Sequence, residues 1–222
     1  MPRIARIVVP DIPHHVVQRG NYRQDIFHMP DDFHTYLLLL KQYSKRYSLD
    51  ILGYCLMTNH VHLIVNPRNA DSIARSVGIC HMRYSQITNR IHNRTGHLWH
   101  SRFFSCALDA FHLVAAMRYI EMNPVHARIV RKAWWYQWSS AAVHIGKPDE
   151  SELLDTKYWL RDFQPDEWKK FLGGREDPEI EPKLMKHLKT GRPLGDDAFV
   201  RMIEKKLGRN LRKGAKGRPK KK

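Results

Sequence analysis

The sequence predicts an α+β fold of the ferredoxin-like kind, with strand and helix order β-α-β-β-α-β. Three observations carry that prediction. Short apolar and β-branched runs recur at 12–19, 50–57, 61–66 and 98–106. Longer segments with apolar residues every three or four positions fall after the first run and after the third. The second and third runs are joined tightly at Thr58-Asn59, as in a hairpin. This order gives an antiparallel sheet with two helices on one face and leaves the other face open.

The elements follow in turn. Residues 12–19 (IPHHVVQR) alternate loosely and end at Gly20-Asn21, a turn signal. Asp31 or Asp32 can cap a first helix whose apolar stripe is Phe33, Leu37, Leu40 and Tyr47. The hairpin strands are 50–57 (DILGYCLM) and 61–66 (VHLIVN). The second helix spans roughly 71–92, with Ile73, Val77, Cys80, Tyr84, Ile87 and Ile91 on one stripe. Residues 98–106 (LWHSRFFSC) read as the fourth strand. A third helix starts at the cap Asp109 and runs to about Met122, where Pro124 stops it, because the residue before a proline avoids α geometry. Trp134, Trp135 and Trp138 are expected to anchor the following segment on the core. From residue 146 the composition shifts to a linker, then to helical patches near 164–172, 180–189 and 195–207. From Arg201 onward eleven Lys or Arg face one Glu without apolar period, a composition that disfavours order in the absence of a partner.

Composition narrows the class of function. The chain has 222 residues, 42% of them hydrophobic, enough for one good core plus an appendage. Its formal charge is +16, which favours a polyanionic partner, since each neutralised phosphate releases counterions. An anionic membrane surface is the competing partner. There is no apolar stretch of about 18 residues and no secretory signal at the start, so no membrane span is expected. Three cysteines, Cys55, Cys80 and Cys106, suggest neither a disulfide framework nor a zinc site, and fit a reducing cytoplasm.

Chemistry concentrates at two places. His60 and His62 are two apart on a strand, so both rings point to one face while Val61, Leu63 and Val65 point to the other. Two imidazoles can share a divalent ion, or be two surface residues among the chain's fourteen histidines. Tyr119 and Asn123 are four apart on the third helix and stack one turn apart. Asn123 offers a neutral carbonyl oxygen as a third ligand, and Tyr119 is either a nucleophile or a packed ring. Tyr84 falls on the apolar stripe of its helix and belongs to the core.

These residues sit in blocks that resemble a known family. Gly53-Tyr54-Cys55-Leu56-Met57-Thr58-Asn59-His60-Val61-His62-Leu63-Ile64 resembles the histidine motif of the IS200-like tyrosine transposases, and more specifically of their REP-associated branch. Gln18-Arg19-Gly20-Asn21 with Phe27, Thr95-Gly96-His97-Leu98-Trp99 through Arg102-Phe103, Tyr119-Ile120-Glu121-Met122-Asn123-Pro124-Val125, and Trp138-Ser139-Ser140 match further blocks in order, over about residues 3–145. The resemblance implies the HUH endonuclease fold and one divalent metal ion, Mg²⁺ or Mn²⁺. It implies His60, His62 and Asn123 as metal ligands and Tyr119 as the nucleophile that forms a 5′-phosphotyrosine. Mobile relatives place Gln where this chain has Asn123, one methylene longer. Glu121 faces elsewhere on the helix and is not counted. The implied substrates are palindromic repeats that fold into hairpins with a single-stranded foot.

Candidate DNA contacts are Arg19, Arg23, Arg83, Arg90, Arg94 and Arg102 for phosphates and Trp99 for base stacking. Arg218, in the tail KGRPKKK, is similar to the centre of a minor-groove-binding AT-hook. A second Gly-Arg-Pro at 191–193 marks the region 180–210 as a candidate DNA-binding appendage. The expected organisation is therefore an HUH tyrosine nuclease domain over 1–145, a helical extension over 146–210 and a disordered basic tail over 211–222. A non-catalytic nucleic-acid-binding protein on the same sheet is the alternative, followed by a hydrolase that activates water.

Overall fold

The computed structural model describes residues 6–211. Four strands, β1 (His14–Arg19), β2 (Leu49–Met57), β3 (His60–Pro67) and β4 (Phe104–Ala107), form one antiparallel sheet in the order β2-β3-β1-β4. With α1 (Pro30–Arg46) after β1 and α2 (Ser72–Ile91) after β3, the ferredoxin-like order holds. The helix α1 begins earlier than a cap at either aspartate would place it, with Met29 as its N-cap. Pro30 opens it, and the Asp32 carboxylate reaches back to accept from the His28 and Met29 amides at 2.7 and 2.9 Å. Phe33, Leu37 and Leu40 of α1 and Ile73, Val77, Cys80 and Tyr84 of α2 are buried on the sheet face lined by Val61, Leu63 and Val65. Tyr84 is a core residue whose hydroxyl donates to the Ile26 carbonyl at 2.6 Å.

Three expectations are corrected. The fourth strand is shorter than 98–106. Leu98 and Trp99 are drawn instead to the turn after β1, where Asn21 N donates to Leu98 O and His100 N to Arg19 O, so regular pairing starts only at Phe104. The third helix, α3 (Ala110–His126), passes through Pro124. Proline there removes one hydrogen bond in the last turn, and the Asn123, Pro124 and Val125 carbonyls still receive the amides of Ala127, Ile129 and Arg128. The second sheet face is covered rather than open, because α3 lies across it. Gly53 permits that approach: a Cβ there would collide with Met117 Sδ.

Of the three tryptophans, Trp138 is the anchor, stacked on Phe33 at 4.4 Å, while Trp135 is 56% exposed. The residues from 146 are strapped down. Asp149 accepts from the amides of Ser151, Leu153 and Leu154, and Asp155 N donates to Ile51 O. After α4 (Ala141–His144) come α5 (Thr156–Leu160), α6 (Pro165–Gly173), α7 (Ile180–Thr190) and α8 (Asp197–Leu207). Trp159, Trp168, Leu172, Leu184 and Leu188 join the same core as the sheet. Residues 201–207, expected without order, complete α8. Ile203 is fully buried beside Ile7, Val9 and Ala107, with Phe199 and Leu207 packed against the same cluster, and this apolar side seats the helix despite its charge. Residues 212–222, with Arg218 and the AT-hook-like motif, lie outside the described residues.

Candidate metal and nucleophile site

Antiparallel pairing brings Arg19 opposite His60 and Val17 opposite His62, and the strand alternation puts His15, Val17 and Arg19 on the histidine face. On that face α3 lays Tyr119. The ring centroids of His60 and His62 are 4.9 Å apart, and Tyr119 is 5.7 Å from His62 and 6.3 Å from His15. Residues at 15, 60, 62 and 119 therefore meet in one place.

Each imidazole is held by its Nδ1. Asn59 Oδ1 lies 2.6 Å from His60 Nδ1, and His15 Nε2 lies 3.0 Å from His62 Nδ1 with the two rings stacked. An amide oxygen only accepts, so a neutral His60 carries its proton on Nδ1 and its lone pair on Nε2. Burial, then the nearby Arg19 charge, lowers His60 to about 4, while its contact with Asn123 works the other way. His62 is driven well below the ordinary value by burial, then by His60, His15 and Arg19. Burial alone lowers His15 to about 3. The pair is neutral at physiological pH, the form that binds metal.

The Tyr119 phenol is pushed up to about 12, first by burial and then by the Glu181 carboxylate of α7; contact with Asn123 and the charge of Arg19 pull it down. Asn123 Nδ2 donates to the Tyr119 carbonyl at 2.8 Å, so the amide is fixed one turn from the phenol. Among the described residues no set of three His, Cys, Asp or Glu is arranged to hold a metal. The donors that fit an ion are two neutral imidazoles and one amide oxygen. Such a set brings no negative charge and leaves an ion's charge undiminished.

The other expected DNA contacts divide. Arg19 and Arg23 are exposed at the histidine end of the sheet, and the Arg23 carbonyl accepts from Asn59. Arg83, Arg90 and Arg94 are exposed along α2 and its following turn, on the opposite layer, and Arg102 is exposed before β4. Trp99 is buried. Its indole N–H donates to His81 O at 3.0 Å and its ring stacks on His81 at 4.3 Å, which leaves no open face for a base. Arg192 and Pro193 of the second Gly-Arg-Pro follow Gly191, whose left-handed backbone ends α7.

Sequence reasoning missed His15 and Asn59, the residues that orient the histidine pair. Their only signals were a second histidine on the first strand and an amide directly before His60. It also set Glu121 aside. That carboxylate is fully buried and accepts from Ser140 Oγ at 2.6 Å, His144 Nδ1 at 2.6 Å and Trp168 Nε1 at 2.8 Å. It ties α3 to the segment that follows it and to α6.

The family model of the IS200-like transposases matches residues 8–123, more than half of the chain and the stretch that holds every residue of this site. The chain belongs to the IS200-like transposase family. No curated protein matches it. Among solved structures, this IS200-like chain superposes on a REP-associated tyrosine transposase bound to a REP hairpin, with a TM-score of 0.54 and 14% identity over 66% of this chain and 87% of the other. A putative transposase from Deinococcus radiodurans superposes with a TM-score of 0.39 and 17% identity, over 54% of this chain and 96% of that one. The first likeness shows that this transposase shares the fold of the REP-associated enzyme. Among the described residues, no helix of the IS200-like chain is long and apolar enough to cross a membrane.

Proposed function

We propose that this transposase is a metal-dependent endonuclease and strand transferase for single-stranded DNA beside a hairpin, with Tyr119 as nucleophile. The single observation that supports it best is the Tyr119 ring 5.7 Å from His62, on a face that also holds His60 and Asn123. His60, His62 and Asn123 would hold one Mg²⁺ or Mn²⁺ ion. When bound, that ion supplies positive charge at the non-bridging oxygens of the scissile phosphate.

The chain's own residues do the rest. Arg19, opposite His60 and exposed, is placed to attract the phosphate. The Tyr119 oxygen attacks phosphorus, and the bond to the 3′ oxygen breaks. The strand is left with a free 3′-OH that takes up the phenol proton, and with a 5′-phosphate esterified to Tyr119. One phosphodiester replaces another, so a second 3′-OH can reverse the step and rejoin the strand. The Asn123 amide and the Arg19 charge both favour phenolate against the effect of burial. When the His62 proton sits on Nδ1, His15 Nε2 accepts it and the His62 Nε2 is left for the ion. Hairpin DNA as substrate is supported by the fold shared with an enzyme solved on a REP hairpin.

Incubation with hairpin DNA carrying a single-stranded foot, with Mn²⁺ or Mg²⁺, is expected to give a covalent protein–DNA adduct. Tyr119→Phe abolishes it. An adduct that survives this substitution reassigns the nucleophile, and metal-independent binding without any adduct makes the chain a non-catalytic binder.

A further inference from the structure

A groove of about 320 Å³ runs beside β4, between the sheet and the end of α7. Arg6, Arg102, Phe104 and Ser105 line one wall, and Lys189 and Arg192 the other. Every charged residue in its lining is a cation. Arg6 is fixed there, its guanidinium 3.7 Å over the Phe103 ring and donating to the Phe103 carbonyl. Arg102, Lys189 and Arg192 form no ion pair among the described residues.

We propose that this groove holds the phosphodiester backbone of the DNA strand that Tyr119 cuts, an inference that rests on the function proposed above. Phosphate supplies what the groove lacks, counter-charge for Arg102, Lys189 and Arg192. The position fits as well. His62, Val17 and Phe104 lie in one cross-strand row, so Phe104 is two strand spacings, about 10 Å, from the histidine. Backbone leaving the site along that row arrives at the groove within a short run. The carbonyl end of α7 also lies on this rim and opposes an anion, but a helix terminus carries only about half a charge against the three full ones of Arg102, Lys189 and Arg192. The extension is thereby part of the DNA-binding surface: α7 builds one wall, and its continuation is strapped to the sheet by Leu194 N donating to Ala107 O at 2.8 Å.

The test uses the full chain and a fluorescent hairpin with a single-stranded foot, titrated over a range of NaCl without metal, so that binding is read apart from chemistry. In Arg102→Gln/Lys189→Gln/Arg192→Gln the slope of log K against log salt is expected to fall by about 0.7 to 0.9 for each phosphate no longer neutralised, about two in all. Lys183→Gln/Lys186→Gln, exposed on α7 but outside the groove, keeps the wild-type slope. A wild-type slope in the triple variant, or an equal loss in the α7 control, overturns the proposal. The covalent adduct is scored in parallel with Mn²⁺. A reduced slope with no adduct in wild type upholds the groove and sinks the nuclease reading, and an adduct with an unchanged slope does the reverse.

Discussion

Two histidines on one strand become a ligand pair only when something decides which nitrogen of each ring faces outward. Asn59 does this for His60, and His15 is placed to do it for His62. His15→Phe keeps a buried ring and removes the hydrogen bond. Mn²⁺ affinity, read by calorimetry or by the loss of the free-ion resonance, is expected to fall about 10- to 100-fold; an unchanged affinity would mean that the His62 tautomer is set elsewhere. Tyr119 makes the second prediction at this scale. With its phenol held at about 12, only a trace is ionised at neutral pH, and that trace grows tenfold for each pH unit. The rate of adduct formation should climb with about unit slope from pH 7 to 9, and a flat profile would show that proton loss is not part of the limiting step. Tyr119, Asn123 and the His60–His62 pair were legible because each spacing is local, i+4 on a helix and i+2 on a strand. The His15–His62 contact joins residues 47 apart, through a register that no local pattern encodes.

Among the elements, α3 matters most because it carries Tyr119, the proposed nucleophile, on one side and a buried carboxylate on the other. His144 has an acceptor at each ring nitrogen, Glu121 at 2.6 Å and the Leu52 carbonyl at 3.0 Å, and satisfies both only as an imidazolium. Glu121 and His144 therefore form a buried ion pair, reinforced by Ser140 and Trp168. Glu121→Ala leaves that charge without its partner and is expected to cost about 3 to 5 kcal/mol in chemical denaturation. A loss under about 1 kcal/mol would show that the imidazole is neutral and the pair weak. Helical geometry separated Glu121 from Tyr119, two residues away, and on that ground set it aside. Its three partners come from Ser140, His144 and Trp168, beyond the reach of any single-helix pattern. The end of α3 was misjudged for a related reason: Pro124 disfavours helix locally, yet it is itself buried in the last turn.

Over the whole molecule, histidine burial sets the response to acid. His14 and His60 are lowered to about 4, His15 and His81 to about 3, and His62 well below its ordinary value, all led by burial. An unfolded chain protonates these rings near 6.5, so the stability they permit is full above that pH and is lost as pH falls toward about 4. Each ring costs about 1.4 kcal/mol per pH unit in that window, and five together approach the stability of a typical domain. The melting temperature should drop steeply from pH 6.5 to 5, with several protons taken up on unfolding; an even melting temperature across that range would contradict it. The order of elements was legible at this scale because alternation and helix period are strong over the first hundred residues. The covering of the second face was not, since it depends on Gly53 and on segments far down the chain. Those segments also close both borders of the sheet. Leu56 N donates to Trp138 O and Asp155 N to Ile51 O along β2, while Leu194 N donates to Ala107 O beside β4. A ribbon from another molecule thus finds the backbone groups at these points already satisfied, so self-association would have to proceed through side-chain surfaces instead of by lengthening the ladder.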